Sequence, residues 1–547
     1  MGLNPKFRTQ YIVLGLTAIV IMAYLSFIAR YGVNVPFWDE WDQVPIVNAA
    51  LHGHLNFSQL WDQHNENRMF LPNLLVVLVA LMTHWNLKIE MWFSALLSIA
   101  SFAVFMRMVK WKTLPFLLPI SALIWFSLAQ YENTLWGFQL AWYLVLFCFL
   151  LCITFLYRES YHSFVISTIF AILASISSFQ GLLTWPIGLL ILLISPSPSR
   201  SKILSWTAAG LGTIILYFTG FTFRATVEPW LSYSLSHPFV SLVYFFTVLG
   251  SVTSVGASNP TDLLLCEMVG VSVFTLSVYF LSHWWSTKPE YRFRTSPVVV
   301  PILFGLLFDI SLVVGRSGFG IPQATSSRYT LYNLVLLTAL SWAVLLQQSL
   351  KPTLYQLRKE WGTGALAVIL VISLASSTLR GLAAGGNLLA ARLMATDVLA
   401  NFKDATDNLI TSTIFPSVPM FKVYAEEVMK DRLSVFNSSS AIVYRRLGIL
   451  PEDHFSKLLP IPLNLQLAIT VNDNVRLAWA ALSTVYDSRP DLKQAFPLHE
   501  PQFAYSLLHW AITSGTTSVS TRKVLAPLAP QYISMFRLLG GSPIPNR

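Results

Sequence analysis

The sequence is poor in charged residues and in cysteine. Charged side chains make up 11% of its 547 residues, whereas hydrophobic side chains make up 54%. Soluble domains carry about 25% charged residues, so this composition excludes an ordinary soluble enzyme and indicates an integral membrane protein. The three cysteines, Cys148, Cys152 and Cys266, lie in apolar runs. They predict small core residues and exclude a disulfide framework or a cysteine-based metal site.

The sequence also has few acidic residues and no internal repeat. It contains 26 Asp and Glu residues against 36 Lys and Arg residues, and its formal net charge is +10. Basic residues that face anionic lipid on the cytoplasmic side explain much of this excess, so membrane lipid is the expected partner and nucleic acid is not. A repeat period of about 20–50 residues is absent, which argues against a repeat array.

Long apolar runs predict an all-α, polytopic membrane protein. A helix of about 20 apolar residues crosses the hydrocarbon core, and about eleven segments are predicted to do so. They are residues 10–29, 90–108, 114–130, 136–157, 161–178, 182–195, 203–222, 262–284, 297–315, 330–349 and 363–381. Two more apolar stretches, 69–85 and 239–257, are interpreted as interfacial or re-entrant helices, and the number would rise to 13 if both crossed.

The distribution of Lys and Arg predicts the orientation, because these residues concentrate on the cytoplasmic side. With the N-terminus inside and both additional stretches outside, most basic residues before position 382 fall in cytoplasmic segments. Residues 1–381 are therefore predicted to form a membrane domain with a large external loop at 31–68. Charges and prolines become frequent afterwards, so residues 382–547 are predicted to form a mostly helical soluble domain on the external face.

In this topology the unusual polar residues fall into external connections. The tract 36–42 follows the first span and sets Asp39, Glu40 and Asp42 among tryptophans. A solvating loop does not need the tryptophans and a lipid anchor does not need the acids, so the tract predicts a catalytic or ion-binding site at the membrane face. The other candidate residues are His64, Glu66, Arg68, Glu132, Gln139, Gln180, Asp309, Arg316 and Arg328.

Each candidate also has a purely structural interpretation. The acids of the first loop suit a solvated interface with tryptophan anchors, and the charges around Glu66 suit a surface salt-bridge cluster. The two glutamines suit hydrogen bonds between helices. Asp309 is harder to explain structurally, because a carboxylate within a span is costly and tends to be functional. It lies two helical turns before Arg316, so both residues share one helix face.

These residue types suit sugar transfer from a polyprenyl-phosphate donor. A carboxylate can take the proton of an acceptor hydroxyl, and arginines bind phosphate oxygens and stabilise charge on the departing phosphate. The acids also suit a divalent cation, and the residues alone do not decide whether one is required. A transporter or flippase for a lipid-linked saccharide is the main alternative, although the paired, broken helices of such proteins are not evident. A non-catalytic assembly scaffold would leave the polar residues unexplained.

Four motifs resemble the GT-C superfamily of integral-membrane glycosyltransferases, over about residues 10–350. They are Phe37-Trp38-Asp39-Glu40-Trp41-Asp42, Asn65-Glu66-Asn67-Arg68, residues 132–139 and Ser327-Arg328-Tyr329. The resemblance implies Asp39 as the catalytic base, with Glu40 as the alternative. It also implies a polyprenyl-phosphate-linked sugar as donor, a glycan, lipid or protein as acceptor, and a bacterial cytoplasmic membrane with the site and the C-terminal domain outside.

Overall fold

The computed structural model describes residues 5–437 apart from 159, 223–229, 351–355, 401, 404 and 406. The α-helices in this part are α1 (Pro5–Tyr31), α2 (Val44–Leu51), α3 (Phe57–Trp61), α4 (Phe70–Thr83), α5 (Leu87–Met108), α6 (Leu117–Trp125), α7 (Tyr131–Leu135), α8 (Leu140–Leu156), α9 (Tyr161–Ser175), α10 (Thr184–Leu193), α11 (Arg200–Phe218), α12 (Trp230–Ser236), α13 (Pro238–Gly250), α14 (Pro260–Trp285), α15 (Pro289–Arg316), α16 (Thr330–Leu350), α17 (Gln356–Ala400), α18 (Asp407–Thr413) and α19 (Val418–Lys430).

Short 3₁₀ helices and one small hairpin complete the described secondary structure. The 3₁₀ helices are Trp38–Gln43, Trp111–Thr113, Leu128–Gln130, Gly137–Gln139, Phe179–Leu183, Ser251–Thr253, Ser317–Phe319, Ile321–Thr325, Ser327–Tyr329 and Ser434–Asn437. The hairpin pairs β1 (Gln63–His64) antiparallel to β2 (Asn67–Arg68), with Gln63 opposite Arg68. The predicted all-α class is confirmed, because β1 and β2 are the only strands among the described residues, which are otherwise mostly helical.

Six helical segments of the described chain are long and apolar enough to cross a membrane, which supports the predicted membrane character. They are Thr9–Tyr31, Leu87–Met108, Gly137–Leu156, Pro260–Trp285, Pro289–Phe319 and Ser327–Leu346. The count of eleven is not reached by this criterion, since several predicted crossings are shorter helices. In 114–130, for example, α6 ends at Trp125, whose carbonyl oxygen accepts a hydrogen bond from Gln130 Nε2 at 2.6 Å.

The chain divides into two compact units, and the first comprises Met1–Gly32, Ala49–Leu81 and Lys88–Gly385. Its core consists of apolar and aromatic side chains between helices, such as Trp142 stacked on Tyr332 with ring centroids 5.6 Å apart. Close helix contacts depend on glycine. A Cβ atom on Gly270 of α14 would lie 1.8 Å from the carbonyl oxygen of Phe246 in α13, so only glycine permits this approach of the two backbones.

The second unit comprises Val33–Asn48, Met82–Leu87 and Gly386–Arg547. The tract 36–42 therefore packs with the C-terminal segment, although the sequence assigned them to different domains. Trp41 is buried against Phe421, with ring centroids 4.9 Å apart, and Asn48 Nδ2 donates to Asp431 Oδ2 at 3.1 Å. The predicted boundary at 382 falls inside the continuous helix α17. Residues 438–547 of the predicted external domain lie outside the described residues.

Candidate functional site: an acidic turn and a polar network

A 3₁₀ helix in the second unit, Trp38–Gln43, determines which acids of the first loop are buried and which are accessible. Side chains three residues apart eclipse each other in this conformation. Glu40 and Gln43 form the inner edge, where they are 0% and 3% exposed. Asp39 is half-buried and Asp42 is exposed. The turn thus presents two carboxylates one above the other and directs the third inward.

Glu40 caps the turn that carries it. Its Oε2 accepts a hydrogen bond from the backbone N–H of Phe37 at 2.8 Å, which satisfies a donor left open at a helix N-terminus. The Phe37 ring lies against the buried guanidinium of Arg392, with Cζ 4.6 Å from the ring centroid. Glu40 therefore has a structural use in this unit, and Asp39 is the more accessible candidate for the base.

Trp38 introduces the turn with a strained backbone. Its φ angle is 48°, a left-handed conformation that costs a non-glycine residue roughly 1–2 kcal/mol. The Trp38 N–H donates to the carbonyl oxygen of Ile414 at 3.1 Å, a contact that holds the strained residue in place. Strain of this kind is concentrated at functional sites, and the Trp38 side chain is exposed beside Asp39.

Tyr424 of α19 is a residue that sequence reasoning missed. Burial raises the pKa of its phenol, and the negative charges of Asp42 and Glu427 raise this pKa further. The phenol is therefore a neutral hydrogen-bond donor at physiological pH, within electrostatic range of one of the predicted acids. Only the packing of the first loop on the C-terminal segment brings Tyr424 and Asp42 together.

In the first unit, the connections between helices form a hydrogen-bonded polar network. It comprises residues 63–68, 129–139, 176–183, 219–222, 251–257 and 316–329. Helices α4, α8, α10 and α16 begin at this network, whereas α9, α11 and α15 end there. These helix ends therefore lie on one side of the unit, and they carry most of the predicted site residues.

Arg68 binds backbone carbonyl groups within the network. Its Nε, Nη1 and Nη2 atoms donate to the carbonyl oxygens of Tyr217, Trp61 and Thr219 at 2.7, 2.8 and 2.7 Å. The guanidinium also lies over the Trp61 ring, with Cζ 5.3 Å from its centroid. Arg68 thus caps the C-terminal end of α11, where open carbonyl groups and the helix dipole favour a cation. Contact with a substrate remains a prediction for this residue.

Glu66 and Arg316 form an ion pair between the hairpin and the end of α15. Glu66 Oε2 lies 2.5 Å from Arg316 Nη2, and the two side chains are 21% and 28% exposed. The Arg316 guanidinium also lies 5.5 Å from the centroid of the Phe319 ring. A half-exposed arginine held by a carboxylate and an aromatic face is accessible to a competing anion.

Glu132 and Arg328 meet through the backbone. Glu132 Oε2 accepts from the Arg328 N–H at 3.0 Å, and the Glu132 N–H donates to Ser327 Oγ at 3.1 Å. The Arg328 guanidinium lies 5.5 Å from the Tyr329 ring centroid. Burial and the Glu132 carboxylate raise the pKa of neighbouring Tyr131 to about 12, against the opposing effect of Arg328. Tyr131, which sequence reasoning missed, is therefore a neutral donor in this part of the network.

The other candidates are distributed around the network. Ser178 Oγ lies 2.5 Å from Gln180 Oε1 and 2.8 Å from Asn67 Oδ1, so Gln180 is linked to the hairpin. The His64 ring packs edge-on against Phe138, with centroids 5.0 Å apart. Gln139 is buried at the start of α8, and its Oε1 has no hydrogen-bond partner within the described part of the chain.

Asp309 differs from these residues because it lies in the interior of α15. It is fully buried, and its Oδ1 accepts from Asn333 Nδ2 of α16 at 3.2 Å. Arg316, on the same helix face, forms its ion pair with Glu66 instead. The shared face predicted from the spacing therefore does not bring the two charges together.

Comparisons with known proteins found no relative of this chain. No family model matches the chain, and neither the curated proteins nor the solved structures contain a match.

Proposed function

We propose that this chain is a membrane glycosyltransferase of the GT-C type. It would move a sugar from a polyprenyl-phosphate donor to a glycan, lipid or protein acceptor on the external face of a bacterial cytoplasmic membrane. The observation that carries the proposal is the 3₁₀ turn Trp38–Gln43, which presents Asp39 and Asp42 on one edge and uses Glu40 as its cap. Asp39 takes the proton of the acceptor hydroxyl, and Asp42 orients Asp39 or shares a divalent cation with it.

The arginines of the polar network suit the phosphate of the donor. Arg316 and Arg328 are half-buried, and each lies beside an aromatic ring. A guanidinium binds two phosphate oxygens in a fork, and partial burial strengthens its interaction with charge that develops on a leaving phosphate. The Glu66 carboxylate is paired with Arg316, so donor phosphate would replace it at the guanidinium.

The proposal includes about eleven crossings, an internal N-terminus and an external C-terminal domain. The segment 239–257 is then interfacial or re-entrant, which two contacts support. Ser234 Oγ, just before α13, donates to the carbonyl oxygen of Val313 at 3.1 Å. Beyond α13, the Gly256 N–H donates to the carbonyl oxygen of Thr325 at 2.8 Å. The two flanks of the segment are thus linked to residues 313 and 325, which supports a path that returns to the side it came from.

Asp39→Asn tests the catalytic assignment, because it keeps the shape of the side chain and removes its basicity. We expect turnover to fall by about 10²–10⁴-fold, with an unchanged melting temperature. The measurement is transfer of sugar from a panel of purified polyprenyl-phosphate-linked sugars by the detergent-solubilised variant. Glu40→Gln is the matched control, and it should lower thermal stability more than the turnover of the folded fraction.

Two outcomes would redirect the assignment. If Glu40→Gln abolishes turnover while Asp39→Asn is active, the base is Glu40. If Asp39→Asn, Glu40→Gln and Asp42→Asn all keep wild-type turnover, the loop is not catalytic. That result would support the alternative that the protein is a transporter or flippase for a lipid-linked saccharide. Buried Asp309 is the observation that favours that alternative, because ionisable groups within spans often serve transport. Movement of a lipid-linked saccharide across proteoliposomes, without chemical change, would identify it.

A further inference from the structure

Asp309 has a carboxylate oxygen that nothing satisfies. The residue is 0% exposed within α15, and Asn333 Nδ2 donates to its Oδ1 at 3.2 Å. Its Oδ2 is buried and has no hydrogen-bond partner in the described part of the protein. A charged oxygen without a partner is costly in apolar surroundings. A bound proton, a cation or a neighbouring donor must therefore stabilise this atom, and the buried Tyr244 hydroxyl, which also has no partner among the described residues, is the nearby donor that interacts electrostatically with Asp309.

Asn333 carries a second unsatisfied acceptor in contact with the first side chain. Its Nδ2 donates to the carbonyl oxygen of Val248 at 3.0 Å as well as to Asp309. These two bonds use both amide hydrogens and fix the orientation of the amide. Asn333 Oδ1 is buried, and it too has no partner among the described residues. The contacting Asp309 and Asn333 side chains thus hold two spare acceptors and no spare donor.

The surrounding elements do not supply a fixed positive charge. Arg316 lies two turns further along α15, roughly 10 Å by helical rise, and is paired with Glu66. The described elements packed against α15 include α8, α12, α13, α14 and α16, together with α10 and the 3₁₀ helices Phe179–Leu183 and Ser317–Phe319, which have no titratable residue. The titratable residues of these helices are Tyr143, Cys148, Cys152, Tyr233, Tyr244, Asp262, Cys266, Glu267, Tyr279, His283 and Tyr332. His283, the only one of these that can become a cation, is next to Trp284, whose Nε1 donates to the carbonyl oxygen of Arg292 at the opposite end of α15.

We propose that Asp309 is a proton-binding site within the helix bundle. One proton on Oδ2 converts an unsatisfied acceptor into a donor, and Asn333 Oδ1 is the matching unsatisfied acceptor. The acid and the amide then form two reciprocal hydrogen bonds. The Asp309 O–H donates to Asn333 Oδ1, and Asn333 Nδ2 donates to Asp309 Oδ1. Through the Val248 carbonyl group, this pair joins α13, α15 and α16.

The site provides a reason for a carboxyl group at this position instead of an apolar residue. When Asp309 carries the proton, its side chain is neutral and both hydrogen bonds between Asp309 and Asn333 are formed. Loss of the proton would leave an unbalanced charge among apolar helices and break the O–H bond to Asn333. The packing of α13, α15 and α16 therefore depends on the bound proton. The position of the last two turns of α15, which end at Arg316, depends on it as well.

Infrared spectroscopy of the purified protein tests the proposal directly. Wild-type protein at pH 7 should show a carbonyl-stretch band of a protonated carboxylic acid, which shifts when aspartate is labelled with ¹³C. The band should be absent in Asp309→Asn. Asp262→Asn is the control, because Asp262 is ion-paired with Arg380 at 2.9 Å, and this variant should keep the band.

Thermal stability provides a second readout. Asp309→Asn supplies an N–H donor in place of the O–H donor, so its melting temperature should stay within a few degrees of wild type. Asp309→Leu, which removes both bonds, should lower it clearly. Absence of an aspartate-sensitive acid band in the wild type would overturn the proposal. Stabilisation of the wild type, but not of Asp309→Asn, by NaCl or KCl would instead identify a monovalent-cation site.

Discussion

Arg68→Met is the substitution whose effect follows most directly from the structure. It removes three hydrogen bonds to carbonyl oxygens at 2.7–2.8 Å and the contact of the guanidinium with Trp61. A hydrogen bond from a charged group contributes about 1.5–3 kcal/mol. Thr219 is exposed, so water replaces that bond, whereas Tyr217 is buried. Because two of the three bonds then count, we expect a loss of about 3–6 kcal/mol of stability.

The assay is thermal unfolding of the detergent-solubilised protein, followed by tryptophan fluorescence. Arg316→Met is the matched control, because the same substitution at a half-exposed ion pair should cost less than about 1 kcal/mol. Arg68→Lys should be intermediate, since one ammonium group cannot reach all three carbonyl oxygens. An Arg68→Met variant as stable as wild type would refute the capping role. Normal stability combined with lost donor use in Arg68→Lys would instead identify a phosphate ligand.

Two further predictions concern the donor and the topology. Arg316→Lys and Arg328→Lys should each raise the KM for the polyprenyl-phosphate donor several-fold, because a point charge cannot reproduce the guanidinium fork. Glu66→Gln, which removes the competing carboxylate, should lower this KM. Unchanged donor affinity in all three variants would exclude a phosphate role for the two arginines. Cysteine placed at exposed Ser58 should react with an impermeant thiol reagent in intact cells, whereas cysteine at exposed Ser197 should react only after permeabilisation. The reverse labelling pattern would invert the proposed orientation.

The class of the protein and the positions of its helices follow from local properties of the sequence. Apolar runs become helices because a backbone in lipid must satisfy its own hydrogen bonds, so most predicted spans coincide with described helices. Polar residues fall between the runs for the same reason. The sequence alone therefore indicated that Glu66, Glu132, Arg316 and Arg328 lie in connections at helix ends, where the structure has them.

The partners of these residues depend on tertiary structure. Arg316 pairs with Glu66 from a distance of 250 positions along the chain, whereas the helical spacing indicated only that Arg316 shares a helix face with Asp309. Contacts between residues so far apart in sequence depend on which helices pack together, and no local sequence pattern determines that packing. The sequence likewise left open which of two adjacent acids is accessible. The Trp38 backbone and the 3₁₀ turn decide this, because they direct Glu40 inward and leave Asp39 half-buried.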